Sequence, residues 1–140
     1  MPYPWAVSGD YYDFICAIAE GVQNDVPEAV IGAMAYSNTH LPPEREPFPD
    51  NVLVDVCIYG ARNLPLSSPK NAEMKSRLLR WRELAAQLRH YNYDLIHSER
   101  GALPMPVPLV TAMADRALFL HVIGMTDGGT QADLGVSFSF

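Results

Sequence analysis

Apolar residues along the chain fall into two patterns, one with helical spacing and one continuous. From Asp10 onward, Phe14, Ile15, Ile18 and Val22 recur at helical spacing; Ser8 or Asp10 offers an N-cap, Gly21 weakens the helix and Pro27 ends it. Residues 29–36 are a short, continuously apolar run, which predicts a strand buried on both faces. A Pro-rich, charged loop over 39–50 separates it from residues 52–59, the strongest predicted strand. There Val52, Val54, Val56 and Ile58 point one way, and Leu53, Asp55, Cys57 and Tyr59 the other.

A loop with Gly60, Asn63, Pro65 and Pro69 leads into the longest predicted helix, 71–89, striped by Met74, Leu78, Trp81, Leu84, Ala85 and Leu88. Ser76, Arg80, Glu83 and Gln87 lie opposite, with Lys75, Arg77 and Arg82 on the flanks as a solvated surface; Leu79 falls off the stripe. Residues 90–97 predict a third strand, aromatic at Tyr91 and Tyr93. Pro108 then starts a helix carrying Leu109, Val110, Met113, Ala114, Ala117, Leu120 and His121, and Gly124 closes it before a short strand at 125–127.

Strands alternating with helices predict a parallel sheet with right-handed crossovers. The expected fold is α/β: a single domain over 1–140 forming a partial (β/α)8 TIM-type barrel, with about four parallel strands and alternating helices. No helix follows the last unit, so the chain is expected to need further chain or a partner to close a sheet.

Ten basic against 16 acidic residues give a net charge of −6, and no basic cluster stands out, which argues against nucleic acid or an anionic membrane surface as partner. Apolar runs stop well short of the ~20 residues a membrane span requires, and the N-terminus has no signal pattern. A soluble chain is expected, from a parent that is secreted or periplasmic if a leader precedes it. Cys16 and Cys57 lie outside any metal or redox spacing and read as buried free thiols. His40, His90, His97 and His121 show no ligand spacing, so neither a metal nor a cofactor is expected; His121 reads as core or as a helix C-terminal charge. A phosphate-binding glycine loop and a serine nucleophile elbow are both absent.

Several stretches in order carry a resemblance: Met34-Ala35-Tyr36-Ser37 before a Pro-Pro loop, Asn51-Val52-Leu53-Val54, Trp81, the Tyr-x-Tyr-Asp of residues 91–94, and the run from Gly124 to Ala132. Over about residues 10–133 the chain resembles an uncharacterised bacterial family of glycoside-hydrolase-like (β/α)8 barrels, domain of unknown function 4838. The resemblance implies the C-terminal half of such a barrel, with the first four strands absent, in a carbohydrate-active parent.

In a barrel, ligand groups come from the C-terminal ends of strands and the loops that follow. Tyr36, Asn38, Tyr59, Tyr93, His97 and Gln131 are the candidates for sugar binding, since rings pack on pyranose C–H faces while polar groups bond hydroxyls. Glycosidic hydrolysis usually needs two carboxyl groups, for which Asp94, Glu99 and Asp127 are the candidates. Each also has a plain structural reading: Asp94 at a strand end, Glu99 paired with Arg100, Asp127 in a turn. Asp55, mid-strand among apolar neighbours, reads either as half of an ion pair or as a ligand-facing group.

Two functions follow as expectations. One is sugar binding or glycoside hydrolysis by the complete parent. The other is a non-catalytic, self-associating half-barrel that forms a homodimer or joins a missing N-terminal half.

Overall fold

The computed structural model describes residues 7–57, 64–92 and 110–130. In chain order these form α1 (Ser8–Asp25), β1 (Ile31–Ala35), a 3-10 turn (Ser37–Thr39), β2 (Val52–Cys57), a second 3-10 turn (Pro69–Asn71), α2 (Ala72–Leu84), β3 (Gln87–Asn92), α3 (Val110–Val122) and β4 (Thr126–Thr130).

All strand pairs are parallel and the order across the sheet is β1-β2-β3-β4. Register is unbroken from β1 to β3: Ala33 lies opposite Val54 and Val54 opposite Leu88, while Ala35 lies opposite Val56 and Val56 opposite His90. The ladder between β3 and β4 is interrupted between His90 and Asn92.

This arrangement corrects the expected partial (β/α)8 TIM-type barrel. The described residues make a small, open α/β domain in which three strands pair regularly and β4 joins through a shifted register. Among the described residues an α-helix lies between β2 and β3 and another between β3 and β4. The connection from β1 to β2 contains a 3-10 turn and no α-helix, so cover over these strands comes from α1, which precedes them.

One face of the sheet is the core. Val52, Val54 and Val56 alternate inward and are essentially inaccessible, joined by Ala33, Ala35 and Leu88. Each buried valine contributes about 1.5–3 kcal/mol by leaving water. Against this face lie Tyr12, Cys16 and Ala19 of α1, Met74, Leu78, Trp81 and Leu84 of α2, and Leu120 of α3. The other face is not covered by the described helices. Gly32 has open space where a Cβ would stand and Met34 is exposed, so the expectation that the first strand is buried on both faces is corrected.

Two helical expectations also change. In α1 the inward face is Ser8, Tyr12, Cys16 and Ala19, whereas Phe14 is 63% exposed and Ile18 is also exposed. Tyr12 prevails over Phe14 because it stacks on Phe48 with centroids 5.3 Å apart and meets Trp81 edge-on at 5.1 Å. Neither Ser8 nor Asp10 caps the helix: both lie inside its first turn, where Asp10 complements the helix dipole.

Helix α2 stops at Leu84 rather than 89, although Ala85 and Ala86 favour helix. Ala85 turns extended, and Arg82 Nη1 donates to the Ala85 and Ala86 carbonyls at 3.2 and 2.9 Å. The chain then enters β3 three residues earlier than expected, and Leu88 fills the core as a strand residue. Farther along, Gly124 adopts a left-handed φ of 76° after α3, as its capping role requires. His121 is exposed in the last turn of α3, which favours the C-terminal charge over the core reading. Both cysteines are buried thiols outside any disulfide.

Urea unfolding of single variants checks this assignment of faces. Trp81→Ala should cost about 3–5 kcal/mol, as large aromatic truncations in cores do. Phe14→Ser should cost about 0.5 kcal/mol or less despite the larger hydropathy change, because the ring already faces water.

Candidate functional site

Parallel strands bring their carboxyl ends to one edge of the sheet, and the chain leaving β1 builds that edge most completely. Tyr36 is extended, Ser37 follows with φ of +52°, and Ser37–Thr39 form a single 3-10 turn. A left-handed conformation costs a residue with a Cβ about 1 kcal/mol, so the surroundings must hold it in place.

They do so through every carbonyl of residues 36–40. Tyr36 O accepts from Thr39 N at 3.0 Å, and Ser37 O accepts from the His40 backbone at 3.4 Å and from its ring Nδ1. Asn38 O accepts from Val7 N at 3.2 Å, Thr39 O from the Tyr12 hydroxyl at 3.4 Å, and His40 O from Trp81 Nε1 at 3.3 Å. Thr39 Oγ1 adds a local clasp: it accepts from Tyr36 N and lies 2.9 Å from Tyr36 O and 3.1 Å from Met34 O, its one proton serving either carbonyl. Burial pushes the Tyr12 phenol far above its usual range, with neighbouring Tyr11 adding to the rise, so it stays a neutral donor to the turn. Outward from this frame, Tyr36 is 44% exposed, and Ser37 and Asn38 are half-buried.

The second polar feature lies on the sheet face that the described helices leave uncovered. Asp55 in β2 sits opposite Arg89 in β3, and the two side chains meet in a fork, Nε to Oδ1 at 2.8 Å and Nη2 to Oδ2 at 2.6 Å. The hydrogen bond to Asp55 raises the Arg89 pKa further above its ordinary value. The ion-pair reading of Asp55 therefore holds. Its partner escapes sequence reading because the helical pattern of 71–89 extends through Arg89; only the strand register brings the two together.

Of the expected sugar-binding residues, Tyr36 and Asn38 both follow β1 at its carboxyl edge, two residues apart. Tyr59, Tyr93, His97 and Gln131 fall outside the described residues, as do the carboxyl candidates Asp94 and Glu99. Asp127 is the second residue of β4, with its backbone in register with His90. Thr39 and His40, which fix Tyr36 and Asn38, carry no sequence signal beyond Ser-Asn-Thr-His ahead of the Pro-Pro pair. Among the described residues, no group of three or more His, Cys, Asp or Glu side chains is placed to hold a metal ion. No described helix is long and apolar enough to cross a membrane.

These elements define a small α/β domain with a parallel sheet and a rigid turn at its carboxyl edge. Residues 2–133 match the family described as domain of unknown function (DUF4838), and the chain belongs to that family. No curated protein and no solved structure matches the chain.

The Asp55–Arg89 fork should respond asymmetrically to truncation. The Asp55 side chain is 14% exposed and that of Arg89 38%, so a stranded carboxylate is the more buried of the two. Arg89→Ala should cost about 2 kcal/mol and Asp55→Ala about 1, with the double variant costing no more than the Asp55 single because no charge is then stranded. Chemical denaturation of the three variants measures the order.

Proposed function

We propose that the chain contributes to a carbohydrate-binding site at the carboxyl edge of its parallel sheet. The observation that carries this reading is the Tyr36–Asn38 turn, in which an exposed ring, a hydroxyl and an amide are adjacent on a backbone locked by α1 and α2. A ring of this kind takes the C–H face of a pyranose, and the neighbouring polar groups take its hydroxyls. Tyr59, Tyr93, His97 and Gln131, which the sequence pattern predicts at the ends of later strands, are the further candidates. In a complete parent, hydrolysis would draw its two carboxyl groups from Asp94, Glu99 and Asp127.

A glycan array followed by calorimetry on the best-bound oligosaccharide tests this. Binding is expected, with Tyr36→Ala weakening it about tenfold, the size of one aromatic stacking contact. An array without binding, or a Tyr36→Ala variant that binds as tightly as the parent chain, removes the proposal.

A second reading, in which the chain is non-catalytic and self-associates, is favoured by the uncovered sheet face. Met34 is exposed there beside the open position at Gly32, and β1 lies at a sheet edge with Val30 half exposed just before it. Sedimentation velocity should then show a dimer that Met34→Lys shifts to monomer. A wild-type chain that sediments as a monomer at high micromolar concentration excludes it.

A further inference from the structure

We infer that the chain associates head to tail through its helices, the outer face of α1 in one copy docking in the groove between α2 and α3 of a second copy. The contact lies on the helical side of the domain, away from the uncovered sheet face, and is independent of the carbohydrate reading. Its first half is α1. Tyr12, Cys16 and Ala19 turn to the core, yet Phe14 and Ile18, one turn apart on the outward side, are also apolar and are exposed. Every charged residue of α1 is an exposed acid: Asp10, Asp13, Glu20 and Asp25.

The second half is the groove. Lys75 Nζ of α2 lies 5.3 Å from the centre of the Phe119 ring of α3, and a Cβ at Gly124 would lie 3.7 Å from the Arg82 guanidinium. The side of α2 that carries Lys75 and Arg82 therefore faces α3, and Leu79, a turn from each, is exposed on that side. On α3, Arg116 and Leu120 turn inward, while Leu118 and Val122 flank Phe119 and are 65% and 72% exposed. Charge selects what fills this groove. Arg77 and Arg80 pair with Glu73 and Glu83 on their own helix, and Asp115 of α3 accepts from Ser67. Lys75 and Arg82 are thus the bases that an incoming helix meets. An apolar pair one turn apart among acids complements them, and α1 has that composition. Within one chain α1 meets α2 through Tyr12 and Trp81, with Phe14 turned away from the core, so the docked α1 belongs to a second copy. The two surfaces differ, which makes the contact heterologous.

Sedimentation velocity of the chain tests this. The wild-type sedimentation coefficient should rise from low to high micromolar concentration, and less steeply at high salt, where the charges are screened. Phe14→Asp on α1 and Leu118→Asp in the groove should each weaken association about tenfold or more, since each buries a carboxylate in an apolar contact. Both side chains face water in the monomer, so melting temperatures should stay within about 2 °C of the wild type; Ile18→Asp and Val122→Asp repeat the test on the same two surfaces. An equal mixture of the Phe14→Asp and Leu118→Asp chains should form dimers that grow no further, because one chain keeps its groove and the other its α1 face. A wild type that stays monomeric overturns the inference. So does wild-type association in either variant, and loss of association with Met34→Lys alone would then leave the sheet-face reading standing. A mixture that stays monomeric also overturns it, because the two surfaces would then not bind each other.

Discussion

Tyr12, Phe48 and Trp81 meet around a shared contact, with Tyr12 stacked on Phe48 and set edge-on to Trp81. Three separate parts of the chain are joined there: α1, the loop between β1 and β2, and α2. The cluster is apolar in bulk, but two of its rings carry polar tips, and both are spent on the turn after β1. The Tyr12 hydroxyl reaches Thr39 O and the Trp81 indole reaches His40 O. Hydrophobic packing thus fixes the positions of the donors, and the donors fix the backbone that presents Tyr36. Loosening the aromatic contact would release the helix, the loop and the turn together.

The loop from β1 to β2 shows how the domain manages without a crossover helix. Phe48 anchors it in the core and donates its backbone N–H to Leu84 O at 2.8 Å, at the end of α2. Arg45 crosses from the same loop to Asp13 on α1 at 2.7 Å and covers the Phe48 ring. Asn51, buried at the entry to β2, donates to Ala19 O of α1 at 2.9 Å. A Pro-rich segment that reads as punctuation in the sequence is therefore tied down at several points. Helix α3 is held in a comparable way, with Asp115 accepting from the Ser67 backbone and hydroxyl and Lys75 lying over Phe119.

Much of the fold was legible where one residue type had one use. Val52, Val54 and Val56 gave β2, Pro27 and Gly124 gave helix ends, and Trp81 gave the inner face of α2. Legibility failed where a local preference met a tertiary demand. Phe14 outranks Tyr12 on any hydropathy pattern, yet only tyrosine supplies both a ring and a donor. Ala85 and Ala86 favour helix, but Leu88 is needed opposite Val54. At the edge, the position of Tyr36 and Asn38 was legible because they follow a strand. The positive φ of Ser37 and the pairing of Arg89 with Asp55 depend on contacts between distant segments, and spacing along the chain does not encode those.

The missing helix between β1 and β2 has a consequence for how the chain reaches its native state. In a regular β-α-β unit, the helix that covers two strands lies between them and can pack as soon as both exist. Here the cover is α1, and its aromatic partner Trp81 lies far down the chain, well after β2. Sequence-distant contacts are slow to form because chain entropy is lost before they are made. The packing of α1 over β1 and β2 is therefore complete only once α2 is present, and a nascent chain that ends before Trp81 has strands with no complete roof.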